Sequence, residues 1–124
     1  MDNKIVNRKR LVIEVGLDEK NRPETLAWTA DDSISDGLLP TKAFLLSLFD
    51  AEQRETLRID LWTNDLQVVE MDRLMYHSLR GMADTYFKST KNDKLANAMQ
   101  QFAHYFGEQT GIVMPDQTAA EEEG

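Results

Sequence analysis

Two histidines are the side chains of this sequence best suited to proton transfer or metal binding near neutral pH. His77 and His104 fall in two separate stretches of helical periodicity. Each lies roughly 160° from the centre of its own apolar stripe, at about 100° per residue. Both are therefore predicted to face water, on different helices. The sequence does not bring them together at a metal or catalytic site in one subunit.

The carboxylates form no catalytic or metal-binding pattern. Asp31, Asp32 and Asp36 lie in DDSISDGLLPT, where Asp is a common turn former. A calcium loop requires alternating oxygen ligands, a central Gly and a terminal Glu, which this segment does not supply. The chain also lacks cysteine, a GxSxG turn and a phosphate-binding glycine loop. We therefore predict a protein that is not an enzyme, with no catalytic residues, metal ligands or cofactors.

The overall composition is that of a globular domain. The chain has 124 residues, of which 41% are hydrophobic, and a chain of this length buries roughly two thirds of its unfolded surface. It contains no run of about 18 apolar residues that could cross a bilayer. The N-terminal MDNKIVNRKR has charges where a signal peptide requires an apolar segment. Together with the absence of cysteine, these features predict a cytoplasmic protein without a membrane span.

Acidic residues dominate the charge and are concentrated at the C-terminus. The formal net charge is −8, and the last ten positions, PDQTAAEEEG, contain four acidic residues and no basic residue. Because phosphate binding requires clustered Lys and Arg, nucleic acid is not expected as a partner. We predict a single α+β domain over residues 1–112 and an acidic, disordered tail over residues 113–124.

Alternating apolar residues predict a first β-hairpin. RLVIEVGL (10–17) and ETLAWTA (24–30) flank the turn sequence DEKNRP. A six-residue loop brings the apolar residues of both strands to one face, as a hairpin requires. The predicted pairs are Leu17 with Glu24, Val15 with Leu26, Ile13 with Trp28 and Leu11 with Ala30. The next segment, DDSISDGLLPT, is interpreted as an irregular connection because of its Gly and Pro.

A second hairpin is predicted for residues 42 to 62. KAFLLSLFD (42–50) would also place an apolar stripe on a short helix, whereas TLRIDLW (56–62) alternates strictly. The register decides between helix and strand, since a four-residue loop gives every apolar residue of the second strand an apolar partner. The predicted pairs are Leu48 with Leu57, Leu46 with Ile59 and Phe44 with Leu61.

Two helices follow the hairpins. From about Val69 apolar residues recur every three or four positions, and a second such stripe begins after Asn92 or Asp93, either of which can cap a helix. Gly81 interrupts the first stripe, and close packing would explain it. Strands and helices in separate blocks indicate an α+β fold. We predict a four-stranded antiparallel sheet of two hairpins, with the two C-terminal helices packed on one face.

The opposite face of the second hairpin is the predicted partner-binding surface. It combines large apolar groups with charged ones, which is typical of an association surface and unusual for a solvated sheet. Its predicted residues are Leu45, Phe49, Arg58, Asp60 and Trp62. Binding of other proteins or of a second copy would use this face. The alternative is that the N-terminal segment or the 31–41 connection covers it, and the residues do not decide.

The stretch from Lys42 to Thr90, with LRIDLW and MADTYF, and the later HYFGE resemble the GldC family of gliding-motility proteins. The resemblance covers about residues 10 to 109 and excludes the acidic tail. It implies a soluble accessory protein of bacterial gliding without established enzymatic activity, whose partners are motility or envelope components. It supplies no catalytic residues and assigns stability or docking to Arg58, Asp60, Trp62, His104 and Tyr105. A small-ligand-binding protein with a cavity between sheet and helices is the alternative function.

Overall fold

Five strands precede two helices in the part of the chain that the computed structural model describes, residues 4–31 and 37–114. The strands are β1 (Leu11–Leu17), β2 (Pro23–Ala30), β3 (Leu39–Thr41), β4 (Ala43–Phe49) and β5 (Thr56–Trp62). The helices are α1 (Val68–Thr90) and α2 (Asp93–Gln109). The chain divides into two units between Leu66 and Gln67, so that one unit contains the strands and the other the helices. The prediction of a single domain over residues 1–112 stays a prediction.

The first hairpin has the predicted register along most of its length. Val15 pairs with Leu26, Ile13 with Trp28, and Leu11 with Ala30. The predicted pair of Leu17 with Glu24 is wrong, because the register shifts between Gly16 and Leu17, and Leu17 pairs with Pro23. An irregularity at this end follows from Pro23, which has no N–H for the ladder.

Asp18 organises the turn between β1 and β2. One of its carboxylate oxygens accepts hydrogen bonds from the backbone N–H groups of Lys20 (2.8 Å) and Arg22 (2.9 Å). The other accepts one from Nε of Arg22 at 2.9 Å. The hydrogen bond from the Arg22 backbone is the main reason that the pKa of Asp18 lies below its usual value. The carboxylate therefore replaces turn hydrogen bonds that the backbone alone would leave open.

A third strand joins this hairpin, contrary to the prediction of an irregular connection. Leu39–Thr41 pairs antiparallel with β2, which becomes the central strand of a three-stranded sheet. Pro40 lies opposite Ala27, and proline is tolerated there because β3 is an edge strand. The central position of β2 explains why Leu26 is almost fully buried. Three residues are too few to show an alternating pattern, so this segment contains no sequence signal for a strand.

The second hairpin forms its own two-stranded sheet, with every predicted pair confirmed. Leu48 pairs with Leu57, Leu46 with Ile59 and Phe44 with Leu61. The prediction of one four-stranded sheet is wrong, since the described strands form a three-stranded and a two-stranded antiparallel sheet. Apolar pairing determines the register within a hairpin, but it does not determine whether the edges of two hairpins join.

Both helices begin with local hydrogen bonds, of which only the one before α2 was predicted from the sequence. The Glu70 carboxylate accepts the backbone N–H of Gln67 (2.9 Å) before α1, and Oδ1 of Asn92 accepts the N–H of Leu95 (3.1 Å) before α2. Asn92 is therefore the cap, one of the two predicted residues. Lys91 adopts a left-handed conformation, φ 63°, and its N–H bonds to the carbonyl of Phe87. This single residue turns the chain from α1 into α2.

Small side chains allow the two helices to approach closely. Ala83, Ala96 and Ala103 are buried together with Tyr76. A Cβ atom at Gly107 would lie 2.7 Å from a ring carbon of Tyr76 and 2.6 Å from a methyl of Val113. Gly81, by contrast, has open space around it. Close packing at a glycine therefore occurs at Gly107, and the interpretation of Gly81 is wrong.

Some of the sequence predictions are not tested by the described residues. The predicted acidic tail lies largely outside the described residues, which end at residue 114. Most of the acidic part of the 31–41 segment lies outside them as well. Packing of the helices on one face of the sheet stays a prediction.

Gly107→Ala is expected to destabilise the protein by about 1–3 kcal/mol, because its methyl group would overlap Tyr76 and Val113. Gly81→Ala is the matched control, another helical glycine with open space. It should stabilise by up to about 1 kcal/mol through helix propensity. Urea unfolding followed by circular dichroism measures both changes, and equal stabilities for the two variants would contradict the packing at Gly107.

The depressed pKa of Asp18 predicts an acid-dependent loss of stability. A carboxylate whose pKa is lower in the folded state stabilises the protein above its unfolded pKa. This stability is lost as the pH falls below the unfolded pKa, about 3.9, and through the lower folded pKa. Asp18→Asn should therefore show a shallower decline of unfolding free energy over that range. Glu19→Gln controls for loss of a neighbouring charge, and identical pH profiles for Asp18→Asn and the parent would contradict the prediction.

Candidate functional site

One face of the β4–β5 hairpin collects all five predicted partner-binding residues. The register places Ala43 opposite Trp62, Leu45 opposite Asp60, Ser47 opposite Arg58 and Phe49 opposite Thr56. Since side chains alternate along a strand, these eight residues share one side of the sheet. We call this surface the Trp62 face. Phe49 and Trp62 lie at its opposite ends, about 20 Å apart at the rise of an extended strand.

A hydrogen-bonded ion pair occupies the middle of the Trp62 face. Arg58 donates from Nε and Nη2 to the two carboxylate oxygens of Asp60, at 3.0 and 2.9 Å. Its Nη1 donates to Oγ of Ser47 at 2.6 Å. Three of the five guanidinium N–H groups are therefore used within this hairpin, and the planar group is held in one orientation. Sequence reasoning placed Arg58 and Asp60 on this face, but it did not identify the hydrogen bond to Ser47.

Large apolar groups flank this ion pair and remain accessible. Phe49 is 71% exposed and Trp62 is 54% exposed. Leu45, beside the ion pair, is partly buried. Exposed aromatic side chains around a bidentate Arg–carboxylate pair have the composition of the central part of a protein interface.

The opposite side of the same hairpin is uniformly apolar. It contains Phe44, Leu46, Leu48, Leu57, Ile59 and Leu61, and we call it the leucine face. It has no polar group to orient a ligand, in contrast to the Trp62 face. This composition is typical of a sheet surface that packs in a core.

A cavity lies where β5 ends, and sequence reasoning did not find it. The cavity measures about 420 Å³ and its lining includes Thr25, Thr41, Lys42, Thr63 and Asp65. The buried Thr63 hydroxyl bonds to the Asp65 carboxylate and to the carbonyl of Lys42. The hydroxyl hydrogen bond is the largest cause lowering the pKa of Asp65, and the charge of Lys42 contributes. A threonine two residues before an aspartate at a strand end is the only sequence signal for this contact.

A carboxylate with a lowered pKa is a weak general base near neutral pH. Asp65 therefore suits a structural hydrogen bond at the end of β5 better than proton abstraction. The cavity is also open to solvent along one side, and its lining mixes polar residues with Leu26 and Pro40. We therefore interpret the cavity as a feature of the local structure that follows β5.

The two histidines lie where the sequence predicts, exposed and on different helices. Nε2 of His104 is 2.8 Å from a carboxylate oxygen of Glu108, one turn along α2. The His77 ring lies beside the ring of Tyr76, with the centroids 5.4 Å apart. Among the described residues, no group of three or more His, Asp and Glu side chains could hold a metal ion.

No helix among the described residues is long and apolar enough to cross a membrane. Searches of curated proteins and of solved structures find no match to the chain.

A family model does match, that of gliding motility-associated protein GldC-like, and the match extends over residues 23–112. This range includes β2 to β5 and both helices, and therefore the whole Trp62 face. It confirms the resemblance found in LRIDLW, MADTYF and HYFGE. Because the match covers most of the sequence, the chain belongs to the GldC-like family of gliding motility-associated proteins.

Proposed function

We propose that the protein is a cytoplasmic, non-enzymatic accessory protein of bacterial gliding that binds motility or envelope proteins through the Trp62 face. Membership of the GldC-like family supports the link to gliding. The observation that carries the docking role is the Arg58–Asp60 pair, fixed between two accessible aromatic side chains.

Fixing Arg58 in advance lowers the cost of binding. A free arginine loses side-chain entropy when it is ordered at an interface, about 0.5–1.5 kcal/mol for a side chain of this kind. Arg58 is already held by Asp60 and Ser47. Within the described hairpin its bonds leave two guanidinium N–H groups for a partner's carbonyl or carboxylate oxygens.

The aromatic ends of the face supply most of the apolar contact area. Phe and Trp side chains bury about 150–250 Å² each when fully covered. Trp62 and Phe49 would therefore insert into apolar depressions of a partner, while Arg58 sets its orientation. Trp and Arg are the residue types most often found among residues that dominate interface energies.

Catalysis has little support from the chemistry of the described residues. Asp18 and Asp65 both have lowered pKa values, which favour the ionised form and not proton transfer near neutral pH. Their hydrogen bonds maintain a turn and a strand end. A reproducible hydrolase or transferase activity in the purified protein would overturn the non-enzymatic part of the proposal.

Trp62→Glu is expected to abolish partner binding while the fold stays cooperative. Trp62 is exposed at the edge of the face, so a charge there would oppose docking more than folding. Cross-linking of the tagged protein in its native cells, followed by mass spectrometry, should recover motility or envelope proteins. We expect the variant to lose at least about ninety per cent of that recovery, as for loss of an interface hot spot.

Gln53→Glu is the matched control, because it adds the same charge in the exposed β4–β5 turn and away from the Trp62 face. It should recover partners at the level of the parent. Thermal unfolding of both variants tests folding. The proposal is wrong if Trp62→Glu retains its motility or envelope partners, or if only unrelated metabolic enzymes are captured by the parent.

A further inference from the structure

The five residues at the centre of β5, Leu57 to Leu61, have an amino-acid order that is nearly symmetric about the middle residue. The order is Leu, Arg, Ile, Asp, Leu, with Ile59 in the middle and opposite charges on either side. When two copies of a strand pair antiparallel about a two-fold axis, a residue before the axis lies opposite the residue of the other copy that is equally far after the axis. A segment with this order would place unlike charges opposite each other and leucine opposite leucine.

At the edge of β5 that faces away from β4, the backbone N–H and C=O groups are spaced as such a pairing requires. The Asp50 N–H bonds to the Glu55 carbonyl (2.9 Å), and the Thr63 N–H bonds to the Lys42 carbonyl (2.8 Å). Because hydrogen-bonded pairs alternate along an antiparallel ladder, Leu57, Ile59 and Leu61 direct their backbone groups toward β4. Arg58 and Asp60 therefore direct theirs to the other edge, and among the described strands β4 is the only one paired with β5.

We propose that a second copy of this chain pairs antiparallel with β5 across this edge, with the two-fold axis at Ile59. Arg58 then lies opposite Asp60 of the second copy, and Asp60 opposite Arg58 of the second copy. Leu57 lies opposite Leu61 of the second copy, and the two Ile59 residues lie opposite each other. Arg58 and Asp60 form hydrogen-bonded pairs, whereas Ile59 occupies a non-hydrogen-bonded site.

The charges select this register over its neighbours. The two neighbouring symmetric registers, with the axis at residue 58 or at residue 60, would also align outward-facing backbone groups. One places Arg58 opposite Arg58 of the second copy, and the other places Asp60 opposite Asp60. Like charges directly opposite each other destabilise an antiparallel pair, whereas opposite charges stabilise it. Only the register centred on Ile59 pairs every charge with its opposite.

The size of the sheet gives an independent reason for a partner strand. Among the described residues the β4–β5 sheet has only two strands, and an edge strand presents backbone N–H and C=O groups that can pair with another chain. Pairing through β5 converts two such hairpins into one four-stranded sheet. The leucine faces of both copies then form one continuous surface through the contacts Ile59–Ile59 and Leu57–Leu61.

This inference does not depend on the docking function, although both proposals involve Arg58 and Asp60. Trp62→Glu tests docking and leaves the central contacts of Leu57 to Leu61 in place. Loss of partner capture with dimerisation retained, or the reverse, would separate the two proposals.

A single cysteine at position 59 tests the axis directly, because the native chain has no cysteine. In the proposed pair the two Ile59 Cα atoms are about 4.5 Å apart, within the range of a disulfide. Leu57→Cys is the matched control on the same strand and face, with Leu57 54% and Ile59 47% exposed. The two residues at position 57 would be about 13 Å apart along the strand, beyond disulfide reach.

Under mild oxidation, full-length Ile59→Cys should form a disulfide-linked dimer at least about tenfold faster than Leu57→Cys, since only position 59 meets the distance limits. Circular dichroism melting checks that both variants fold. Equal rates for the two variants would overturn the proposed axis. A parent chain whose mass by sedimentation equilibrium stays at 14.2 kDa up to about millimolar concentration, the limit of weak association, would overturn the dimer itself.

Charge reversal provides a second test that does not rely on cysteine. Asp60→Arg gives β5 two cations and Arg58→Asp gives it two anions, so each variant alone should dimerise at least about tenfold more weakly. Mixing the two variants should restore association as a mixed pair, and the double variant Arg58→Asp, Asp60→Arg should restore it alone. The pairing of Arg58 with Asp60 would be contradicted if either single variant associates like the parent, or if the double variant stays monomeric.

Discussion

The antiparallel pairing of β4 with β5 is the constraint on which the rest of the site depends. It places Leu46 opposite Ile59 and so directs the odd-numbered residues of β5 to the leucine face. Because the side-chain period of a strand is two, a slip of one residue would exchange the two faces completely. The same parity directs the backbone groups of Arg58 and Asp60 outward. One register therefore determines both the surface proposed to bind a partner and the edge proposed to pair with a second copy.

Apolar pairing made both hairpin registers predictable from the sequence. Strict alternation in TLRIDLW and the loop lengths left one arrangement in which each leucine has an apolar partner, and Asn92 gave a local signal for the start of α2. The third strand was not predictable in this way, since Leu39–Thr41 is short and contains a proline. Its position depends on β2, which is distant in sequence.

The sequence also did not reveal the side-chain contacts between residues that are far apart in the chain. Alternation places Arg58 and Ser47 on one face, but it does not show that a hydrogen bond joins them. The contact of Gly107 with Tyr76 joins residues 31 positions apart on different helices. The spacing of the apolar residues suggested that Gly81 was the closely packed glycine, because it interrupts an apolar stripe. A glycine within a helix can reflect close packing or simple tolerance, and only the neighbouring atoms distinguish the two.

The two helices show why this small chain has much apolar surface left for association. Their mutual contact buries mainly alanine and Tyr76, whereas Met82, Leu95 and Phe102 remain about half exposed. Helix pairs joined through small residues approach closely but remove little apolar area from water. Much of the apolar surface of α1 and α2 therefore lies outside their mutual contact.

Symmetric pairing through β5 would also bring the two halves of the recognition surface together. In the proposed pair, Thr56 lies opposite Trp62 of the second copy, and Phe49 is the next residue in the same cross-strand row. Phe49 of one copy and Trp62 of the other would then be separated by about 10 Å, two strand spacings, compared with about 20 Å within one hairpin. Each end of the four-stranded sheet would carry an aromatic pair, and the two Arg58–Asp60 pairs would form one four-charge cluster between them. A partner that contacted both ends would gain from two linked contacts at once, so the proposed pair would place self-association and docking on a single surface.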